Sequence, residues 1–342
     1  MTAFWPGVAV CGVAFILAVV LTEAMRRIAL KYRLMDRPGR GKAHGNATPY
    51  LGGVAIVVTA VAAWAIVTPT PDPQVLTLIV TGIFVAMLGL IDDVRPSRVS
   101  VRLLVEFLAA GTVVASGARA GIIGAVPGVG DWPDTVFTVL WIVLVTNSFN
   151  LLDNSDGAAG SIAAMTAAAM AVLSFETGWT SIAIFELAIS ASCAGFLVHN
   201  WPPARIFMGD AGSLFLGFVI SGSAVLIFGA QNGALPSVSW TVRAANLLLL
   251  TFVATVDTGI VIVSRCRAGR PVTQGGADHT SHRLRALGMR TAQATMLLFA
   301  VAGISGALVL LVSLGMLPGA VALVAVLTTG AILVMIAQRV RV

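Results

Sequence analysis

The chain has 342 residues, 58% of them hydrophobic and only 11% charged, with a mean hydropathy of +0.95 and a formal net charge of +6. Soluble domains carry about 25% charged residues, so this composition excludes a disordered tail and an ordinary soluble enzyme and points to an all-α polytopic membrane protein. The cysteines, Cys11, Cys193 and Cys266, are too few and too scattered for a disulfide framework.

A helix needs roughly 20 apolar residues to cross a bilayer. About eleven such runs are predicted, at 4–23, 50–68, 75–91, 101–118, 133–151, 158–175, 180–198, 212–230, 242–263, 292–315 and 318–337, forming one integral membrane domain over 1–342. No basic residue precedes the first run, and Arg26, Arg27, Lys31 and Arg33 follow it. A cleaved signal peptide shows the reverse order, so the first helix is expected to stay, with its N-terminus outside. In that orientation all but Arg119 and Arg243 of the 21 Lys and Arg fall on the inner side, and the C-terminus is cytoplasmic. The positive charge is then a topological signal, with a second use at anionic headgroups or phosphates. No aromatic residues interleave with it, which speaks against nucleic acid. Residues 121–130 are too short to span and are expected to form a hairpin or re-entrant turn. The small-residue run 157–171 suits close helix packing.

Most acidic residues gather on the inner side. Asp36, Asp92, Asp93, Asp153, Asp156, Asp210 and Asp278 lie in or beside inner loops, Glu23 and Glu106 near inner helix ends, and Asp257 inside the ninth run. Ionisable groups at membrane depth are costly and are functional candidates by default. Their convergence on one face calls for a cation or a polar substrate at the cytoplasmic surface.

In chain order, Asp92-Asp93 closes the third run. Adjacent helical residues point about 100° apart, so the two carboxylates are expected to do different jobs. A carboxylate pair at a helix C-terminus also opposes the macrodipole and needs a compensating cation. Asn147, Asn150, Asp153 and Asp156 then recur every third residue, sharing a slowly drifting helix face. Asparagine offers donor and acceptor together, which suits a base edge or a sugar amide. Phe207-Met-Gly-Asp210-Ala-Gly-Ser213 opens the eighth run. Its glycines permit close backbone approach, and the helix N-terminus that follows can hold an anion; an N-cap at Asp210 is the competing reading. In the last inner loop, His279 and His282 stand beside Arg283. No ligand set for zinc completes them, and arginines beside histidines suit phosphate. Asp36, Lys42 and His44 of the first loop could reach the same place.

Taken together, these blocks resemble the polyprenyl-phosphate N-acetylhexosamine-1-phosphate transferase family (glycosyltransferase family 4) over roughly residues 36–290. The matching blocks are Lys42-Ala-His44 with Pro49-Tyr-Leu-Gly-Gly53, Asp92-Asp93, 147–157, 207–213, Asp257 ahead of Arg265, and His279-x-x-His282-Arg-Leu. The resemblance implies transfer of an N-acetylhexosamine-1-phosphate from a UDP-sugar to a polyprenyl phosphate at the cytoplasmic face of the plasma (inner) membrane, releasing UMP. It implies a requirement for Mg2+, with Mn2+ as a substitute, and makes a homodimer reasonable. Carried over by position, Asp210 is the expected magnesium ligand with Asp93 as partner, and Asp92 the base for the lipid phosphate. Asn147, Asn150, Asp153, Asp156 and Phe207 resemble the uridine side, His279, His282 and Arg283 the diphosphate and sugar side, and Lys42 a phosphate contact.

The chain departs from the family at two positions. His279-Thr-Ser-His282 lacks the three consecutive histidines of the phospho-N-acetylmuramoyl-pentapeptide transferase branch, which disfavours that branch, and Ser281 replaces the middle histidine of the His-x-His-His found in other relatives; UDP-N-acetylglucosamine is the expected donor. Asn154 stands where a glycine is common. Rival readings are a secondary transporter, which would place its charges near the midplane of repeated halves, and a CDP-alcohol phosphotransferase, which would concentrate its aspartates in one or two helices.

Overall fold

The computed structural model describes residues 4–36, 47–123, 131–229 and 238–340. Thirteen helices follow in order among them: α1 (Phe4–Tyr32), α2 (Gly52–Val67), α3 (Pro73–Val94), α4 (Val99–Ala115), α5 (Trp132–Leu152), α6 (Ala158–Glu176), α7 (Thr180–Asn200), α8 (Asp210–Phe228), α9 (Trp240–Leu250), α10 (Phe252–Arg267), α11 (Thr280–Ala286), α12 (Thr291–Ser313) and α13 (Gly319–Ala337). Two short strands, β1 (Met35–Asp36) and β2 (Thr48–Pro49), pair antiparallel with Met35 opposite Pro49. Lys42 and His44 lie outside the described residues, as do 124–130 of the expected outer turn.

Every predicted apolar run is helical, but the runs are not equivalent. Among the described residues eight helices are long and apolar enough to cross a membrane. The ninth predicted run is broken: α9 and α10 meet at Thr251 with a 74° bend, and only together would they make a further span. The Thr251 and Thr255 hydroxyls donate back to the Leu247 and Thr251 carbonyls at 2.8 and 2.9 Å, and this back-bonding bends helices. The second and fourth runs form shorter helices of 16 and 17 residues.

The α8 helix is the axis of the bundle. Its apolar stretch is 100% buried, with α3 and α5 as its main neighbours and α2, α6 and α9 around them. A helix that is apolar all round belongs in such an interior. The small-residue helix α6 lies against α7 and α12, as its composition predicts. At the periphery, the apolar stretches of α1 and α13 are only 22% and 11% buried.

Backbone contacts fix the inner end of α8. Gly53 N–H donates to Met208 O at 2.8 Å and Gly52 N–H to Phe207 O at 3.0 Å, while Phe207 N–H donates to Pro49 O at 2.8 Å. These bonds stitch the β1–β2 hairpin to the segment that enters α8. The approach is so close that a Cβ on Gly53 would stand 2.2 Å from Gly212 N. Only glycine fits there, and the two helix ends are locked in register.

Candidate active site

The carboxylate pair that seemed to oppose its own helix is compensated by neighbours. Asp93 accepts hydrogen bonds from Asp210 N–H at 2.8 Å and Ala211 N–H at 3.2 Å. It therefore caps the N-terminus of α8, where a negative charge is favoured by the helix dipole. The preceding Gly209 has φ +77°, and a Cβ there would meet Asp93 Oδ2 at 2.7 Å. Glycine is what lets the carboxylate reach the helix end. Asp92 points elsewhere, accepting Ser97 N–H at 2.6 Å and facing Arg102 Nη1 at 3.7 Å. The two adjacent aspartates thus have different partners, as their angular separation requires.

Asp210, the first residue of α8, lies between two environments. Asn150 Nδ2 donates to its Oδ1 at 2.8 Å and to Ser213 Oγ at 3.0 Å. Arg102 Nη1 lies 3.4 Å from its Oδ2. Arg102 thus joins Asp92 to Asp210 and also faces Glu106, a fully buried carboxylate one turn along α4. Sequence reasoning counted Arg102 only toward the charge asymmetry and Glu106 only among the acids gathered at the inner face, and assigned neither a role in the site. The signal available was the i, i+4 pairing of opposite charges on a short helix otherwise nearly devoid of them.

On the other side of Asp210 opens a cavity of about 490 Å³. Its lining includes the carboxylates Asp36, Asp93, Asp153, Asp156 and Asp210, together with His282 and Arg285 from α11. Phe207, Tyr50 and Asn154 also line it. Burial, reinforced by the charges of Asp210 and Asp93, pushes the Asp153 carboxyl up to about 7. Burial, together with neighbouring His279 and Arg285, pushes the His282 imidazole down to about 4. His282 is therefore neutral near pH 7, and its buried Nε2 has no hydrogen-bond partner.

Three anchors hold α11 over the cavity. His279 Nδ1 donates to Asp257 Oδ2 at 2.8 Å, and Thr280 N–H to Asp257 Oδ1 at 2.6 Å. Arg283 donates to Asp278 O at 3.0 Å, to Ser264 Oγ at 3.1 Å and to the carbonyls of Ala337, the last residue of α13, and Val340. Ser281 Oγ donates to Asn154 Oδ1, just beyond the end of α5, so the two departures from the family meet each other. Behind them, burial raises the Asp278 carboxyl, but hydrogen bonds from Arg270 and Arg265 outweigh it and hold it below the usual carboxylate range.

The predicted site residues therefore divide. Asp93, Asp153, Asp156, Phe207, Asp210 and His282 line the cavity. Asp92 and Asn150 reach Asp210 from behind. Asn147 does not face the cavity: its Nδ2 donates to Glu106 Oε2 and to Val143 O. His279 Nδ1 is engaged by Asp257, and the buried Arg283 ties α11 to residues 337 and 340; the structure shows these anchoring contacts for both residues. Among the described residues, no three or more His, Cys, Asp and Glu form a ready metal cage. Magnesium, however, takes one or two carboxylates and completes its shell with water and phosphate oxygens. Asp210, with Asp92, Asp93 and Asp153 around it and Arg102 as the nearby cation, offers surplus negative charge that fits such an ion.

Comparison with known proteins identifies relatives of the chain. Residues 75–228, which run from the start of α3 to the end of α8, match the family model described as glycosyl transferase family 4. A Streptomyces coelicolor protein named as a glycosyltransferase is 38% identical over 303 residues, covering 86% of this chain and 67% of that one. A Bacillus subtilis protein named as an undecaprenyl-phosphate N-acetylglucosaminyl 1-phosphate transferase is 32% identical over 298 residues, covering 84% and 80%. A phospho-N-acetylmuramoyl-pentapeptide-transferase of Moorella thermoacetica is 30% identical over 240 residues, covering 66% and 75%. The chain is a member of glycosyl transferase family 4, the polyprenyl-phosphate N-acetylhexosamine-1-phosphate transferase family that its sequence blocks resemble.

Proposed function

We propose that the chain transfers N-acetylglucosamine-1-phosphate from UDP-N-acetylglucosamine to a polyprenyl phosphate, releasing UMP, at the cytoplasmic face of the plasma membrane. The N-terminus lies outside and the C-terminus inside in this reading, so the cavity opens to the cytoplasm. The observation that carries it is the position of Asp210, shared by a polar cavity and by an Arg102–Asp92 cluster among membrane helices. A water-soluble donor and a lipid-borne acceptor would meet there. The name of the Bacillus relative, which matches more of this chain than the muramoyl-pentapeptide enzyme does, supports N-acetylglucosamine.

Phosphoryl transfer needs alignment and charge stabilisation more than covalent chemistry. Asp210 would hold magnesium, which when bound neutralises charge on the departing phosphate. Asp93 positions Asp210 by capping its helix. Asp92 takes the proton of the lipid phosphate, and Arg102 faces the phosphate as a planar donor fork. Asp153, Asn154 and Phe207 face the uridine, while His282 and Arg285 face the diphosphate and sugar. His282, being neutral, contributes a hydrogen bond rather than a charge.

The test is UMP release by purified protein in detergent, with undecaprenyl phosphate, magnesium and a panel of UDP-sugars that includes UDP-N-acetylmuramoyl-pentapeptide. Release that requires lipid, magnesium and UDP-N-acetylglucosamine, and that vanishes in a folded Asp210→Asn variant, is the expected result. Lipid-independent release, or full activity in that variant, would overturn the proposal.

A further inference from the structure

Arg102 stands among three carboxylates and makes one long hydrogen bond to them, from Nη1 to Asp210 Oδ2. Its Nη1 is 3.4 Å from Asp210 Oδ2 and 3.7 Å from Asp92 Oδ2, and its Nε is 3.7 Å from Glu106 Oε1. A charge-assisted bond between such groups closes to about 2.7–2.9 Å. Accordingly, the buried Arg102 Nε and Glu106 Oε1 are both without a hydrogen-bond partner. Glu106 is held back from the guanidinium because Asn147 binds its other oxygen, and Asn147 is itself tied to Val143 O at 2.9 Å. The result is a fully buried carboxylate strapped to α5, with a cation suspended in front of it.

A structural ion pair would close, because an open one leaves buried charge uncompensated. One held by a single long bond keeps the rest of the guanidinium fork available to another anion. Arg102 does not line the polar cavity, whereas Leu140 and Leu144 of α5 are exposed and lie on the same helix face as Asn147, one and two turns away. An anion that reaches Arg102 along this stripe is one carried on a hydrocarbon chain.

We propose that Glu106 and Asn147 are positioning residues that act through Arg102: they keep its guanidinium from closing on Asp92 and limit it to one long hydrogen bond with Asp210, so that it receives the phosphate of the polyprenyl acceptor. This rests on the transferase reading for the identity of that acceptor. The phosphates of the nucleotide-sugar share the same chemistry, and the assay separates the two sources.

The experiment compares wild type, Glu106→Gln, Asn147→Ala, Arg102→Ala and the Glu106→Gln/Arg102→Ala double variant, each checked for folding by its melting curve. Glu106→Gln is expected to raise the KM for undecaprenyl phosphate about tenfold, the scale of one charge-assisted hydrogen bond, with the KM for the UDP-sugar unchanged. Asn147→Ala should move the same constant in the same direction, and it carries the test if Glu106→Gln does not fold. Because both residues act through Arg102, Glu106→Gln should add nothing in the Arg102→Ala background. Additive effects, a change confined to the UDP-sugar KM, or no change would overturn the proposal. Calorimetric binding of farnesyl phosphate to the same proteins needs no turnover. A wild type that releases no UMP defeats the transferase reading, and the binding series then decides this one: the same non-additive loss supports it, and unchanged or absent binding overturns it.

Discussion

Replacing Asp93 with alanine should weaken both the fold and the turnover, for one geometric reason. The carboxylate accepts the first two free N–H groups of α8, at 2.8 and 3.2 Å. Loss of an N-cap costs about 0.5–2 kcal/mol, and the negative charge at a helix N-terminus adds about 0.3–1 kcal/mol. Since the helix end borders an open cavity, water can take over the freed donors, so the full penalty for orphaned buried groups does not apply. About 2 kcal/mol is the expected loss for Asp93→Ala, and about half of that for Asp93→Asn, which keeps one acceptor. Asp210 sits on the freed turn, and a displacement of about 1 Å at a reacting group can cost about a hundredfold in rate. Denaturation in detergent and UMP release, measured on the same preparations, should therefore rank wild type above Asp93→Asn above Asp93→Ala on both scales. An Asp93→Ala protein that melts like wild type would refute the capping argument, even if it were inactive.

Three further expectations follow from the geometry. Gly53→Ala places a Cβ 2.2 Å from Gly212 N; overpacking of this kind costs about 1–3 kcal/mol, and a melting temperature equal to wild type would show that the helix ends are not locked together. Asp153 ionises near 7 in the folded chain, above its unfolded value of about 3.9. The native state then holds the extra proton between those values, and stability is lost as pH rises toward 7. Asp153→Asn cannot ionise, so its melting temperature should gain on wild type between pH 5 and 8; a constant offset would contradict the shift. Ser281→Ala frees the Asn154 amide and unlatches α11 from the segment just beyond α5. It should raise the KM for the UDP-sugar several-fold and narrow the preference among UDP-sugars, while leaving the KM for the lipid unchanged, as read from the same sugar panel.

Hydropathy made the helices legible because lipid or protein interior surrounds nearly all of them. It did not distinguish α8, buried on every side, from α13, mostly exposed, since both sequences are apolar throughout. The gathering of acids at one face was legible too, but the partners were not. The residues at 147, 150, 153 and 156 illustrate why. Three residues advance an α-helix about 300°, so each step drifts about 60°. Asn147 consequently meets Glu106 on α4, Asn150 meets Asp210 on α8, and Asp153 meets the cavity. Asp156, beyond the helix end, accepts Ala204 N–H at 3.0 Å. An even spacing looked like one shared surface and is instead a fan of contacts. The anchoring contacts of Arg283 and His279 were illegible for a related reason: a basic residue in such a motif carries no mark of which protein groups it binds.

The burial of α8 also bears on how the protein responds to its bilayer. Thickness mismatch is absorbed by tilting of the helices that touch lipid, which here means outer members such as α1 and α13. The central helix has no lipid-facing surface through which to be pulled. The depth of Asp210 is then set by glycine contacts and backbone hydrogen bonds within the protein, and the site would hold its geometry across membranes of different thickness.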